Sequence, residues 1–155
     1  MGNKKWMEKA VEIVLESAVA GGGPFGAIVV KGGEIISTGN NQVTAANDPT
    51  AHAEMQAIRE ACQKLGSFQL TDCEIYTSCE PCPMCIGAIY WARPEAVYYA
   101  ASKTEAAEAG FDDHFIYEQI ALPVEERDIE MMQVRPDKYD KPFQIWKDAE
   151  NRMDY

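Results

Sequence analysis

Long apolar runs, clustered basic charge, low-complexity tracts and histidine are what this 155-residue sequence is short of, and each shortage removes a class of function. No stretch of about 18 apolar residues occurs, so no segment is expected to span a bilayer. Met1-Gly2-Asn3-Lys4-Lys5-Trp6 runs straight into an amphipathic pattern, without the apolar block and cleavage site of an export signal. Fourteen basic residues face 25 acidic ones, a formal net charge of −11, and Lys and Arg form no cluster. Long-range attraction for a polyphosphate is therefore unfavourable, and no nucleic-acid partner is expected. Five cysteines cannot all pair, which favours reduced thiols, metal binding and a cytoplasmic setting.

What remains is ordinary globular composition, 46% hydrophobic and 25% charged, in a length that suits a single domain over 1–155. Met7, Ala10, Val11, Val14, Leu15 and Ala18 at helical spacing predict a helix over about 4–20, ended by Gly21-Gly22-Gly23-Pro24. Phe25–Lys31 and Glu34–Thr38 read as strands joined by the two-residue turn Gly32-Gly33. Asp48 as a cap and Pro49 in the first turn predict a second helix to about Leu65-Gly66. Glu74–Ser78 is a third strand, a helix from Pro81-Pro83 to Arg93-Pro94 follows, and 96–100 is a fourth strand. Residues 103–122 read as helix split by Gly110, Glu130–Val134 as a fifth strand, and Pro142 to about Arg152 as a last helix. This order implies an α/β, three-layer sandwich: a mixed five-stranded sheet with helices on both faces.

Cys82 and Cys85, three apart at a helix start, share a face and can reach one ion, and the helix dipole favours their thiolates. Alone, the pair could equally be two buried cysteines. His52, one of only two histidines, stands at another helix start and supplies a third ligand. Two cysteines and one histidine leave the fourth tetrahedral position open to water, as catalytic rather than structural zinc sites do. Cys79 as a fourth ligand would close the site, but it precedes the helix start by several residues. Glu54 is then an uncommitted carboxylate beside the metal, suited to general acid/base work. Residues two apart on a helix point about 200° apart. His52 and Glu54 can therefore share a site only off the helix N-terminus.

Pro49-Thr50-Ala51-His52-Ala53-Glu54 with Thr77-Ser78-Cys79-Glu80-Pro81-Cys82-Pro83-Met84-Cys85 resembles the cytidine deaminase superfamily, whose zinc enzymes carry His-x-Glu and Pro-Cys-x-x-Cys. Ile89-Tyr90-Trp91-Ala92-Arg93-Pro94, Glu108-Ala109-Gly110-Phe111-Asp112-Asp113 and the ending Asp154-Tyr155 are similar to the small bacterial guanine deaminases within it. The resemblance implies a cytidine deaminase-like fold and one Zn2+ per subunit on His52, Cys82 and Cys85. It implies conversion of guanine to xanthine and ammonia, with Glu54 as proton shuttle. It casts Asn41 as a base contact, Phe25 and Trp91 as aromatic packing on the base, and Asp113 as a catalytic-site acceptor for guanine's N1–H and amino group. It also implies a homodimer whose C-terminal segment is swapped, with Tyr155 closing the partner's pocket. Read alone, Asn41 is turn material, Phe25 and Trp91 are core, Asp113 is a helix cap and Tyr155 is a frayed end. His114 receives no role.

The enzyme rivals are a tRNA adenosine deaminase, which must hold a polyanion despite the charge of −11, and a cytosine deaminase, disfavoured by Asp112-Asp113 and Tyr155. A zinc-stabilised interaction module is the alternative outside enzymes, and Glu54 argues against it, since a structural site has no need of an unliganded carboxylate there.

Overall fold

Gly32 (φ 58°) and Gly33 (φ 80°) take the left-handed conformation that a two-residue hairpin turn demands at both positions, and they join strands β1 (Gly26–Lys31) and β2 (Glu34–Asn40). These belong to a computed structural model that describes residues 2–19 and 22–155, Val19 by its backbone alone. Ala20 and Gly21, at the expected end of the first helix, lie outside the described residues. Two further strands, β3 (Cys73–Cys79) and β4 (Ala96–Ala101), complete a sheet of order β2-β1-β3-β4. Its pairs are antiparallel except β3 with β4, which are parallel and joined through a helix.

The described helices are α1 (Lys4–Val19), α2 (Val43–Ala46), α3 (Ala53–Leu65), α4 (Pro83–Ala92), α5 (Lys103–Glu108), α6 (His114–Ala121) and α7 (Lys141–Asp148). The chain separates into two compact units, Met1–His114 and Phe115–Tyr155. In the first, the central strand β1 is buried on both faces. Ala27 and Val29 join Ala53, Ala57, Ile58 and Ile75 beneath α3 and α4, while Ile28 and Val30 join Ala10 and Tyr76 beneath α1. Helices thus cover both faces of the sheet, the expected layering.

Several boundaries and faces depart from expectation. The buried stripe of α1 runs through Met7, Ala10 and Ile13, and Leu15 is 64% exposed. A Cβ at Gly26 would meet the Ala10 carbonyl at 2.7 Å, so two small residues bring α1 onto β1 and select that stripe. Among the described residues the sheet has four strands, not five: Glu130–Val134 forms none. The second unit contains no other strand, so this segment has no ladder to join. The split near Gly110 (φ 93°) is present, dividing α5 from α6, and α5 carries a reciprocal cap between Ser102 and Glu105. Among the described residues no helix is long and apolar enough to cross a membrane.

Candidate active site

The loop from Asn41 to His52 fixes one side of the site. Asp48 does not cap a helix there. Its Oδ1 accepts from the Thr50 N–H (2.8 Å) and hydroxyl (2.7 Å), closing a turn. The Gln42 N–H donates to the Ala51 carbonyl at 2.9 Å, tying the loop to the end of β2. The helix then starts at Ala53, later than Pro49 suggests, with His52 as its cap residue in extended conformation (φ −69°, ψ 157°).

Cys82 occupies the same position on α4 (φ −67°, ψ 168°), with Pro83 at the first helical place, where its missing N–H costs nothing. His52 and Cys82 therefore project off two neighbouring helix N-termini, and Cys85, fully buried in the first turn of α4, completes the group. His52 Nδ1 lies 3.5 Å from Cys82 Sγ and 3.6 Å from Cys85 Sγ, and the three donors lie within 4.8 Å of one another. A tetrahedral ion with Zn–S of about 2.3 Å and Zn–N of about 2.0 Å has S···N edges of about 3.5 Å. The donor set and its spacing fit one zinc.

The 200° problem between His52 and Glu54 is resolved by the cap. His52 is not helical, while Glu54, in the first turn, faces inward and is 5% exposed. Its Oε1 accepts from the Thr77 hydroxyl at 2.9 Å, and its Oε2 from the Cys85 thiol at 3.5 Å. Burial pushes the Glu54 carboxyl above the usual range, opposed by its own backbone N–H and by Thr77. The Cys82 thiol is pulled down to about 4, first by Cys85 and then by His52, against its burial. The same hydrogen bond, with burial and the charge of Glu54, pushes Cys85 upward. The pair holds one proton between them. His52 is raised, first by its contact with Cys82.

Cys79 stands apart from this group. Its thiol donates to the Ser102 carbonyl at 3.8 Å, and burial pushes it up to about 11, so it stays protonated. Asp113 is half-buried just before α6, raised first by burial and then by the charge of Cys82, within whose electrostatic reach it stands. Asp112, not Asp113, closes a side-chain turn at the start of α6, its Oδ1 accepting from the His114 N–H at 2.9 Å. Asn41 donates its N–H to the Phe25 carbonyl (3.2 Å) and accepts from the Val43 N–H at Oδ1 (3.1 Å), so it does shape the turn into α2. Phe25 packs edge-on against Phe111, ring centroids 4.9 Å apart. Trp91 is 62% exposed on α4, whose buried positions are Cys85, Ile89 and Ala92. Tyr155 belongs to the second unit, where it meets Trp146 edge-on at 6.3 Å. Thr77 is the contact that motif reading passed over. Its signal is a hydroxyl on the inward stripe Cys73, Ile75, Thr77, Cys79 of β3.

The family model described as the cytidine and deoxycytidylate deaminase zinc-binding region matches residues 2–101, a span holding His52, Glu54, Cys82 and Cys85. The chain belongs to that family. It is 57% identical to a guanine deaminase of Bacillus subtilis (strain 168) over the whole of both chains. The X-ray structure of guanine deaminase from Bacillus subtilis superposes with a TM-score of 0.96, covering 100% of this chain and 99% of that one. A tRNA-specific adenosine deaminase of Aquifex aeolicus (strain VF5) is 45% identical, over 65% of this chain and 67% of its own. A structure of guanine deaminase from Nitrosomonas europaea, 33% identical, covers 74% of this chain and 67% of its own at a TM-score of 0.69.

Proposed function

We propose that this chain is a zinc-dependent aminohydrolase that converts guanine and water to xanthine and ammonia. The observation that carries the reading is the buried Glu54 carboxylate set beside His52, Cys82 and Cys85, in a chain similar over its full length to a guanine deaminase. His52, Cys82 and Cys85 hold one zinc per subunit. When bound, zinc supplies Lewis-acid activation of the attacking water. Glu54 would take one proton from that water and pass it to a ring nitrogen, then take the proton left on the oxygen added at C2 and deliver it to the departing amine as the C2 carbonyl forms. Burial raises its carboxyl, which favours holding the proton between the two transfers.

Asp113, whose carboxyl feels the charge of Cys82, receives guanine's N1–H and amino donors, and Asn41 contacts the base from the turn after β2. Replacing Asp113 with Asn would set a donor where an acceptor is needed, and should cost kcat/KM for guanine at unchanged zinc content. Phe25 packs on the base. Residues 115–155 extend the single catalytic domain and swap to a second copy, where Tyr155 closes the neighbouring pocket, and Trp91 packs on the base. This unit exposes Met132, Val134, Phe143 and Ile145, an apolar surface suited to a homodimer. A cytoplasmic location and the lack of a nucleic-acid partner complete the reading.

The test is ammonia release by zinc-loaded protein from guanine, adenine, cytosine and adenosine in tRNA. Turnover of guanine with weak, salt-insensitive tRNA binding is the expected result. Tight, salt-sensitive tRNA binding with no guanine turnover would hand the assignment to the tRNA deaminases.

A further inference from the structure

Glu54 has two oxygens in different surroundings. Oε2 faces the Cys85 sulfur and hence the metal-ligating group, whereas Oε1 accepts from Thr77 Oγ1 at 2.9 Å. Thr77 is 1% exposed and lies in the middle of β3, paired with Ala27 on one side and Tyr99 on the other. Alternation along β3 turns Ile75 and Thr77 toward the α3 face and Tyr76 and Ser78 toward the other, where the Ser78 hydroxyl accepts from the Gly26 N–H. The hydroxyl of Thr77 is thus delivered to Glu54 by a rigid strand with neighbours on both edges. A long carboxylate side chain left to itself samples several rotamers. One held by a strand presents a single oxygen to the reacting atoms.

We propose that Thr77 is a positioning residue for the deamination: by donating to Oε1 it locks the Glu54 carboxylate and leaves Oε2 as the oxygen that carries the proton. The assignment rests on the reading of Glu54 as proton shuttle. Its chemistry balances without a further reactant. An O–H bond of water breaks as Oε2–H forms, and Oε2–H breaks as the proton passes to the base. Throughout, the Thr77 proton stays on its own hydroxyl, because Oε1 remains an acceptor whether or not Oε2 is protonated. Once a metal holds Cys85 as thiolate, that sulfur no longer donates, and Thr77 is the side-chain donor left to Glu54 in the contacts seen here.

The experiment compares Thr77→Val, which keeps the shape and removes the hydroxyl, with Thr77→Ser, which keeps the hydroxyl, each alone and combined with Glu54→Gln. Zinc content and guanine kinetics are measured on all. Thr77→Val should retain one zinc per chain and a nearly unchanged KM, and lose about 10- to 100-fold in kcat. Thr77→Ser should stay within about 3-fold of wild type. In the Glu54→Gln background the valine change should add almost nothing, since the group it positions is gone. Thr77→Ala reports the same loss if the valine protein does not fold. Wild-type kcat in both hydroxyl-free variants while Glu54→Gln is inactive overturns the anchoring role alone. So does an equal further loss in the Glu54→Gln background, or loss of zinc. A fully active Glu54→Gln enzyme overturns the shuttle reading and the anchoring with it.

Discussion

A carboxylate as buried as Glu54 costs stability whenever it is ionised, and the sign of that cost can be read out with pH. Its folded-state pKa lies above the ordinary 4.5, so between 4.5 and the raised value the folded chain holds more protons than the unfolded one. Stability conferred by the protonated form is complete below 4.5 and is lost as pH rises through the raised value. Zinc-free Glu54→Gln should therefore melt at or above the wild type at pH 8, and the gap should close toward pH 5. A gap that widens as pH falls would contradict the burial argument. With zinc, the same variant should keep the metal and lose about 10²-fold or more in kcat. The cysteines divide in a similar way. Cys79, held near 11 and bonded to the Ser102 carbonyl, is a thiol at neutral pH, so Cys79→Ser should keep zinc and activity. Cys82→Ala and Cys85→Ala should lose both, and elemental analysis of the three proteins decides whether the site has three protein ligands or four.

The elements hold these residues through close backbone approach more than through bulk. A Cβ at Gly39 on β2 would meet the Ala53 carbonyl at 2.2 Å and the Ala57 nitrogen at 2.7 Å, both backbone atoms of α3. Gly39→Ala should push α3 outward and destabilise the fold by about 1–3 kcal/mol. Because His52 and Glu54 stand at the start of that helix, zinc affinity should fall along with the thermal midpoint. An unshifted midpoint would show that α3 gives way freely. Such approaches explain which parts of the architecture were legible in the sequence. The hairpin was plain because Gly32-Gly33 has one good use, and the approximate start of α4 because Pro81 and Pro83 suit a helix beginning, though Cys82 stands as its cap residue and not in its first turn. The α3 boundary was not, because Asp48-Pro49-Thr50 suits either a helix start or a side-chain-closed turn, and the turn won. The packing stripe of α1 depended on where small residues of two elements coincide. The fifth strand had no partner, and a short stretch with apolar residues cannot say whether a neighbouring strand exists. The grouping of His52, Cys82 and Cys85, with Glu54 beside it, was legible because metal-binding chemistry restricts residue types and spacing. Thr77 was not, since a threonine in a strand is common and only the fold sets it against Glu54.

For the molecule as a whole, the final 41 residues pose the largest question of surface. Within the unit Phe115–Tyr155, Ile129, Met132, Val134 and Phe143 are exposed, and Tyr155 is 69% exposed beside Trp146. A monomer with a net charge of −11 would remain dispersed by repulsion, yet apolar surface of this extent calls for cover. If a second copy provides it, the native mass measured by light scattering should be that of a dimer, and the tail should serve the neighbour's pocket. Deleting Tyr155 should then impair guanine turnover while hardly moving the thermal midpoint, because one exposed ring contributes little to the core. Subunit exchange gives the sharper outcome. A zinc-dead Cys85→Ala subunit with its tail intact, mixed with a subunit lacking Tyr155, combines an inactive parent with an impaired one. The tail of the first can then close the intact zinc site of the second, and exclude water from it. Activity should return in proportion to the mixed dimer. If mixed dimers form and regain nothing, each tail serves only its own subunit or none, and the apolar surface of residues 115–155 is an interface without a catalytic part.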